Sequence, residues 1–418
     1  MPIYPSGGGG SGSGNSTAFL NAVTQGGADP TGVTDSSAAI QTLINDATLP
    51  IFFPPGNYRI KAGITLADGT RLFGPSFANG YGGVAVPSTR ARLFLDAAAT
   101  TPMITCGGST VSHMAVEGLV LDGVGVAQHI IYFPASGSFH DYFSRVRGCY
   151  IVNIGAAVYG IYGGNNTGSI YIDECVIYQG TSTGGSGIYF STSSGYVVNT
   201  LFNGFIGSGQ AAAYDLGGYN NRYINCDFGV NAVGLIISSQ ETLVLGCFFD
   251  RNLGEAILVN SSGAQIIGCQ FHSNSQSAAN SAPDITLAPA LSNIMIVGNY
   301  GGPLDGGITF TTSYLVYANG TTAPYMSGNT ISPGSRGVGL TNYTGLQTAP
   351  VMPASTVALT NPFGLPCTVY VSGGTVTVIA VDGTTLGLIS GAIQLGATDH
   401  IALTYSVAPT WVWVADHD

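Results

Sequence analysis

Charge is what this 418-residue chain has least of: 10 Lys and Arg with 21 Asp and Glu amount to 7% of residues, for a formal net charge of −11. The cations are scattered singly, so no basic stripe exists for a phosphate backbone, and nucleic acid is excluded as a partner. An anionic membrane surface is disfavoured for the same reason. No apolar run reaches transmembrane length, so membrane insertion is not expected. The N-terminus, MPIYPSGGGGSGSGNST, lacks the basic and apolar regions of a signal peptide. The chain is therefore expected to be made in the cytosol, or to be a fragment. The 7 cysteines are an odd count without a CxxC pair, which argues against zinc and against a disulfide framework. Calcium would want several clustered carboxylates. None is dense enough to indicate it, and no metal or other cofactor is expected.

What is abundant is glycine, 62 residues, beside 45% hydrophobic residues that include 22 Tyr and 18 Phe. Disordered chains lack such apolar bulk. The glycines must then serve many turns between many short strands, which makes the chain all-β. A surface of Ser, Thr, Asn, Gly and Tyr suits sugars, whose hydroxyls hydrogen-bond to neutral polar groups and whose rings stack on aromatic faces.

Three segments are expected. Residues 1–18 hold a flexible linker, SGGGGSGSG, which is a natural hinge or an engineered spacer. Met1 to Pro5 before it could act as an anchoring peptide. Residues 19–345 open with a short amphipathic helix at 36–47, with Asp35 as N-cap and Ile40, Leu43, Ile44 and Ala47 on one face. The buried strand IFFPPGNYRI follows. Then the chain repeats: RGCYI, DECVI, VNTLF, INCDF, LGCFF, IGCQF and VGNY align on Cys149, Cys175, Thr200, Cys226, Cys247, Cys269 and Gly298. VEGLVLDG is a weaker first copy, with Gly118 in the aligned place. Ile151, Ile177, Phe202, Phe228, Phe249, Phe271 and Tyr300 lie two residues further on.

Each copy is expected to be one turn of a coil, stacked at roughly 4.8 Å, with the cysteines as a buried, reduced ladder of small fillers. A second strand recurs after each cysteine, as YGIYG, SGIYF, AAYDL, VGLII, EAILV, PDITL and GGITF. Ile161, Ile188, Tyr214, Leu235, Ile257, Ile285 and Ile308 take its inward place. Tyr162, Tyr189, Asp215, Ile236, Leu258, Thr286 and Thr309 then point out. Residues 350–418 read as a separate all-β module, with strict alternation and Gly-Gly, Asp-Gly and Ser-Gly turns. An open coil end exposes strand edges, which the helix and this module or its connector would cover.

The run GADPTGVTDSSAAIQTLIN followed by IFFPPGNYRI resembles the N-terminal signature of the pectate-lyase-like superfamily. That resemblance implies a right-handed single-stranded parallel β-helix with a short N-terminal capping helix. The superfamily includes phage tailspikes, polysaccharide depolymerases, rhamnogalacturonases and mannuronan epimerases. The stretch from NPFGLPCTVYVSGG to PTWVWV resembles a small β-sandwich at the ends of minor tail or head-fibre proteins of actinobacterial phages. Together these imply a virion fibre or spike, assembled in the host cytoplasm. Its expected partners are two further copies in a homotrimer, a bacterial surface glycan, and other virion proteins met through the N-terminal segment.

Enzymes of this fold cut glycans with paired carboxylates or eliminate across uronates. Glu117 and Glu174, read as sharing the position before the ladder residue, form a candidate acid/base pair two turns apart, with Arg145 and Arg147 between them. The plainer reading is that Arg147 and Asp173 point inward and pair with each other. Tyr162, Tyr189 and Asp215 make an outward column that could stack on sugars, with Asp215 as a candidate base. The plainer reading is a ladder that stabilises the sheet. Asp250 and His272 share the third position after the ladder, one turn apart, with Arg251 and Glu255 nearby, as a candidate binding or catalytic pair or a surface hydrogen bond. Asp122, His129, His140 and Asp141 lie in an irregular region without telling spacing.

Three functions compete: a phage fibre or tailspike that binds host polysaccharide, with or without depolymerising it; a free lyase, hydrolase or epimerase; and a catalytically inactive virion decoration. With 21 acidic residues and no strong cluster, the balance moves from enzyme towards binding or structure.

Overall fold

The computed structural model describes residues 18–46, 48–75, 89–107, 113–135, 140–180, 184–277, 282–302, 315–318, 324–331, 345–347, 349–361, 366–396 and 399–415. Most of it is a coil of three short strands per turn. One turn runs Asp227–Gly229, Val233–Ile237 and Leu243–Leu245, and Phe248–Asp250 opens the next. That strand lies parallel on the first and in register with it, Phe249 on Phe228. The first strand of each turn builds a parallel sheet of twelve strands, from Thr31–Asp35 to Thr330–Ile331. The second and third merge into a 21-stranded sheet, because Tyr159–Asp173 runs unbroken through both places. This is the expected parallel β-helix.

The repeat is anchored one residue away from where the weaker copies suggest. Arg147 pairs with both Glu117 and Asp173, so Leu119, not Gly118, stands level with Cys149. At the other end Val297 pairs with Ile267, which puts Asn299, not Gly298, level with Cys269. Gly301, not Tyr300, then lies on Phe271. Gly118 and Gly298 belong instead to the corner before the ladder. There Gly118, Gly148, Glu174, Asn199, Asn225, Gly246, Gly268 and Gly298 all have φ between 48° and 65°. That left-handed region costs most residues and suits Gly and Asn. The corner bends the chain between strands, so alternation does not carry across it. Val146, Ile172 and Val197, three residues before the ladder, face inward, while Arg147 and Asp173 face outward, against the inward reading.

The ladder position needs more than a small filler. Each cysteine there reaches a buried carbonyl of the preceding turn, among them Cys149 Sγ to Val116 O at 3.4 Å, Cys226 Sγ to Val197 O at 3.3 Å and Cys247 Sγ to Tyr223 O at 3.4 Å. Asn299 Nδ2 makes the same bond to Ile266 O at 3.0 Å. Thr200 Oγ1 instead donates to Val198 O of its own turn at 2.9 Å. Thiols and amides can donate where an alanine could not, and a buried carbonyl needs a donor. All seven cysteines are free and buried. Cys106 lies inside the coil and Cys367 inside the C-terminal module. Beside the ladder, Phe202, Phe228, Phe249 and Phe271 stack face to face, with centroids 4.8, 4.8 and 5.2 Å apart. Five residues after the ladder, Asn231, Asn252 and Asn274 form a second internal ladder, each Nδ2 donating to the next Oδ1 at 3.1 and 2.8 Å.

In the second strand, Ala213 rather than Tyr214 lies level with Ile188 and Leu235. Tyr214 is therefore the outward residue, and Asp215 points into the coil. Ile308 and Thr309 lie outside the described residues, and Val316 takes the inward place on Ile285.

Helix α1, Ser37–Asp46, covers the first edge of the second-strand column. Its Gln41 acts as a substitute strand, donating to Thr65 O at 3.0 Å and accepting from Thr65 N–H at 2.7 Å. Such pairing satisfies an edge that would otherwise stay open. Ser36 is the capping residue, its carbonyl accepting from Ile40 N–H, one place after the expected Asp35. Asp35 still takes the Ser37 N–H at 3.0 Å. At the C-terminal end two antiparallel four-stranded sheets share a core around Trp413, Val369 and Ile379. Gly345–Gln347 already pairs with the last strand, so these sheets recruit chain from before residue 350.

Three substitutions at two positions probe the corner and the stack. Gly246 has φ 61° and open space where a Cβ would stand. Gly246→Asn is expected to be nearly neutral and Gly246→Val to cost about 1–2 kcal/mol, read from urea unfolding midpoints. Phe228→Ala, at the centre of the stack, should cost about 3–5 kcal/mol.

Candidate functional site

The 21-stranded sheet turns an aromatic face outward. Tyr132, Tyr162, Tyr189 and Tyr214 hold the outward place of the second strand on four successive turns. Tyr132 and Tyr162 stack at 5.2 Å, and Tyr162 and Tyr189 at 4.9 Å and 11°. His129 and Tyr159 widen the cluster, His129 stacking on Tyr162 at 4.9 Å and Tyr159 lying 4.8 Å from Tyr189. Burial lowers the His129 pKa, and its Nδ1 accepts the Tyr159 N–H at 3.1 Å, which puts the neutral ring's proton on Nε2. Burial also pushes the Tyr159 phenol up to about 12 and raises that of Tyr162. These hydroxyls stay protonated near neutral pH, so they can donate and accept hydrogen bonds.

On the same four turns the third strand adds a second column: Arg145, Tyr171, Tyr196 and Arg222. Tyr171 and Tyr196 stack at 4.9 Å and 10°, and the Arg222 guanidinium lies 5.2 Å above Tyr196. The strand Tyr159–Asp173 carries both Tyr162 and Tyr171, so the two columns run along one hydrogen-bonded sheet. Tyr162, Tyr189 and Arg145, named from sequence, lie on it. Tyr132, Tyr171, Tyr196 and Arg222 were missed, although the last three share with Arg145 an offset of four residues before the ladder.

Asp215 is the clearest correction. It replaces no tyrosine on the outer face; it is fully buried inside the coil. Asn221 Nδ2 and Thr242 Oγ1 each donate to it at 2.7 Å, and Ser239 Oγ donates as well. Desolvation raises its pKa against the pull of these three donors. It is out of reach of any ligand on the surface.

Glu117 and Glu174 do not share a position. Glu117 ends a strand level with Arg147, and Glu174 occupies the left-handed corner after Asp173. Arg71 takes Glu117 at 3.0 Å. Arg147 takes Glu174 at 3.0 Å and Asp173 at 3.4 Å. The pairing of Arg147 with Asp173 is thus present, but on the outside. Asp250 and His272 lie level on neighbouring turns of the twelve-stranded sheet, on the other side of the coil wall. They make no hydrogen bond: Asp250 Oδ2 accepts from Arg251 at 2.8 Å, and His272 lies between Phe248 and Tyr300. Asp122 is held by Arg92 at 2.6 Å and Asn153 at 2.9 Å. The side chains of His140 and Asp141 lie outside the described residues. Among the described residues, no three His, Cys, Asp or Glu gather as a metal site.

The family described as rhamnogalacturonase A/epimerase, pectate lyase-like, matches residues 19–86. That match covers the N-terminal part of the coil, and the parallel β-helix behind it is a fold shared with the solved structures that follow. The A-module of the mannuronan C-5 epimerase AlgE4 of Azotobacter vinelandii is similar in structure: TM-score 0.57, 18% identity, covering 76% of this chain and 96% of that one. The enzymatically active domain of tailspike protein 2 of bacteriophage CBA120 gives TM-score 0.57, 15% identity, 95% of this chain and 79% of that one. Against the full-length form of that tailspike the chain spans 63% of its length. PfbA, a surface adhesin of Streptococcus pneumoniae, gives TM-score 0.51 and 11% identity, over 82% of this chain and 97% of that one. No curated protein matches the sequence.

The buried carboxyl gives a pH test. A raised folded-state pKa means Asp215 contributes stability that is fully present below its ordinary 3.8 and is lost as pH rises through the folded value. Asp215→Asn should remove that loss, so unfolding midpoints measured upward from about pH 4 should fall less steeply than in wild type. Parallel pH curves for the two proteins would contradict the assignment.

Proposed function

We propose that this protein is a virion fibre of tailspike type that binds a bacterial surface polysaccharide along its aromatic face. The observation that carries the reading is the double column of Tyr132, Tyr162, Tyr189 and Tyr214 beside Tyr171 and Tyr196. Rings repeat up the rod at about 5 Å, the strand spacing, which suits a long polymer better than a small ligand. Stacked on one another, the rings offer a glycan an apolar ridge of ring edges, and their phenols offer hydrogen bonds to hydroxyls. The structural likeness to a phage tailspike supports the setting. The N-terminal segment, of which residues 1–17 lie outside the described residues, would dock the fibre to the particle.

The assembly we infer is a homotrimer. Past the aromatic face the same sheet presents Ile224, Leu245, Ile267 and Val297 on successive turns, flanked by Leu243, Gln265 and Met295. None of these outward positions is charged, and Leu245 and Met295 are each 38% exposed. A stripe this apolar along a rod is suited to burial against further copies.

Binding is favoured over cleavage. An acid/base pair needs one carboxyl available to a leaving group. Glu117 and Glu174 are both engaged by guanidinium groups, and Asp215 is sealed in the coil.

Tyr162→Ala and Tyr189→Ala are each expected to weaken binding to host envelope polysaccharide by about tenfold or more, about 1.4 kcal/mol, in surface plasmon resonance. Incubation should release no oligosaccharide. Release that is abolished by Glu117→Gln or Glu174→Gln would overturn the binding-only reading. Light scattering should give three times the chain mass, and Leu245→Asp should give a monomer.

A further inference from the structure

We propose that a groove at one end of the aromatic face seats an anionic substituent, a carboxylate or a phosphate, carried by the bound glycan. This rests on the glycan reading above and adds the charge of the ligand. The groove is a shallow, open depression of about 450 Å³, and Arg71, His113, Glu117, Phe143, Arg145 and Tyr171 line it. That volume is in the range of a small-ligand site.

Three guanidinium groups stand at or beside this groove, and two are committed. Arg71 is paired with Glu117, and Arg147 with Asp173 and Glu174. Arg145 is exposed and has no carboxylate within ion-pair reach among the described residues. In a chain of net charge −11, a lone cation inside a lined groove is the feature that a ligand's negative charge would complete. The planar fork of arginine matches carboxylate and phosphate oxygens two at a time.

The walls fit a sugar that carries this charge. Phe143 is 51% exposed and has φ 44°, a conformation that a bulky residue adopts only when its surroundings impose it. Its ring stacks on His113, itself at φ 60°, with centroids 5.5 Å apart at 14°. Strained backbone thus holds an aromatic lip beside Arg145. Tyr171 lies level with Arg145 on the next turn and leads into the tyrosine column. Glu117 gives one oxygen to Arg71 and can accept a sugar hydroxyl with the other. The groove is thereby continuous with the polymer track and differs from it in charge.

The test uses the full chain and an array of bacterial envelope oligosaccharides, each acidic glycan spotted beside its carboxyl-reduced or dephosphorylated form. The wild type should bind the acidic forms at least about tenfold more tightly than the neutralised ones, and the preference should shrink with added salt. Arg145→Gln should erase the preference. Arg145→Lys should restore part of it. A stronger response to carboxylate or to phosphate spots names the source of the charge. Equal binding of acidic and neutralised forms by the wild type, or an unchanged preference in Arg145→Gln, overturns the proposal and leaves the glycan reading standing. Absence of binding to every spot overturns both. Unchanged thermal unfolding of the variants excludes misfolding as the cause.

Discussion

From Gly118 to Gly298 the turns of this coil bend at a residue held in the left-handed region, and where the next residue is Cys or Asn its side chain reaches a carbonyl buried in the turn before it. Those two features fall on adjacent residues, and the repeat there reads Gly-Cys, Glu-Cys, Asn-Cys and Gly-Asn. The corner residue spends its conformational freedom on the bend, and its N–H continues the ladder to the following turn, as Gly246 does to Ile267 O at 2.9 Å. The donor after it closes the interior. With that corner fixed, turns stack in register at the strand spacing, and like residues fall on like: Phe on Phe, Asn on Asn, Tyr on Tyr. Core and working face are therefore products of the same translation.

This explains how a chain with so few charges forms a long, well-ordered rod. Its polar groups are consumed internally. Asn231, Asn252 and Asn274 hand hydrogen bonds from turn to turn, and Asp215 is satisfied by three neighbours inside the coil. A buried polar group is tolerated only when it is bonded in this way, and a stacked coil supplies the partners by repetition. The arginines that remain outside are mostly neutralised by one another's neighbours, as in Arg71–Glu117 and Arg147–Glu174, which makes Arg145 conspicuous.

The coil itself was legible in the sequence because its signal repeats. Cys149, Cys175, Cys226, Cys247 and Cys269 set the period, and the helix and the C-terminal strands carry ordinary patterns. Register failed where a copy was degenerate. Leu119 and Asn299 hold the ladder place where the repeat has cysteine, and a search for cysteine-like or small residues stops one place early, on the corner glycine. In AAYDL the inward place belongs to Ala213, and reading Tyr214 as apolar core flipped Asp215 to the surface. One residue of slip exchanges the two faces of a strand. The asparagine ladder was visible at a constant offset of five after Cys226, Cys247 and Cys269, and so was the Arg145–Tyr171–Tyr196–Arg222 column at four before the ladder. Neither was found from motifs aligned on apolar residues. The strain at Phe143 leaves no mark in sequence at all.

The aromatic face is the central functional claim, and hydroxyl-radical footprinting of the full chain with and without host envelope polysaccharide tests it most directly. Protection concentrated on Tyr132, Tyr162, Tyr189, Tyr171 and Tyr196 is the expected result. Protection of the twelve-stranded sheet instead, at Phe248 and Tyr300, or no protection at saturating polysaccharide, would contradict it.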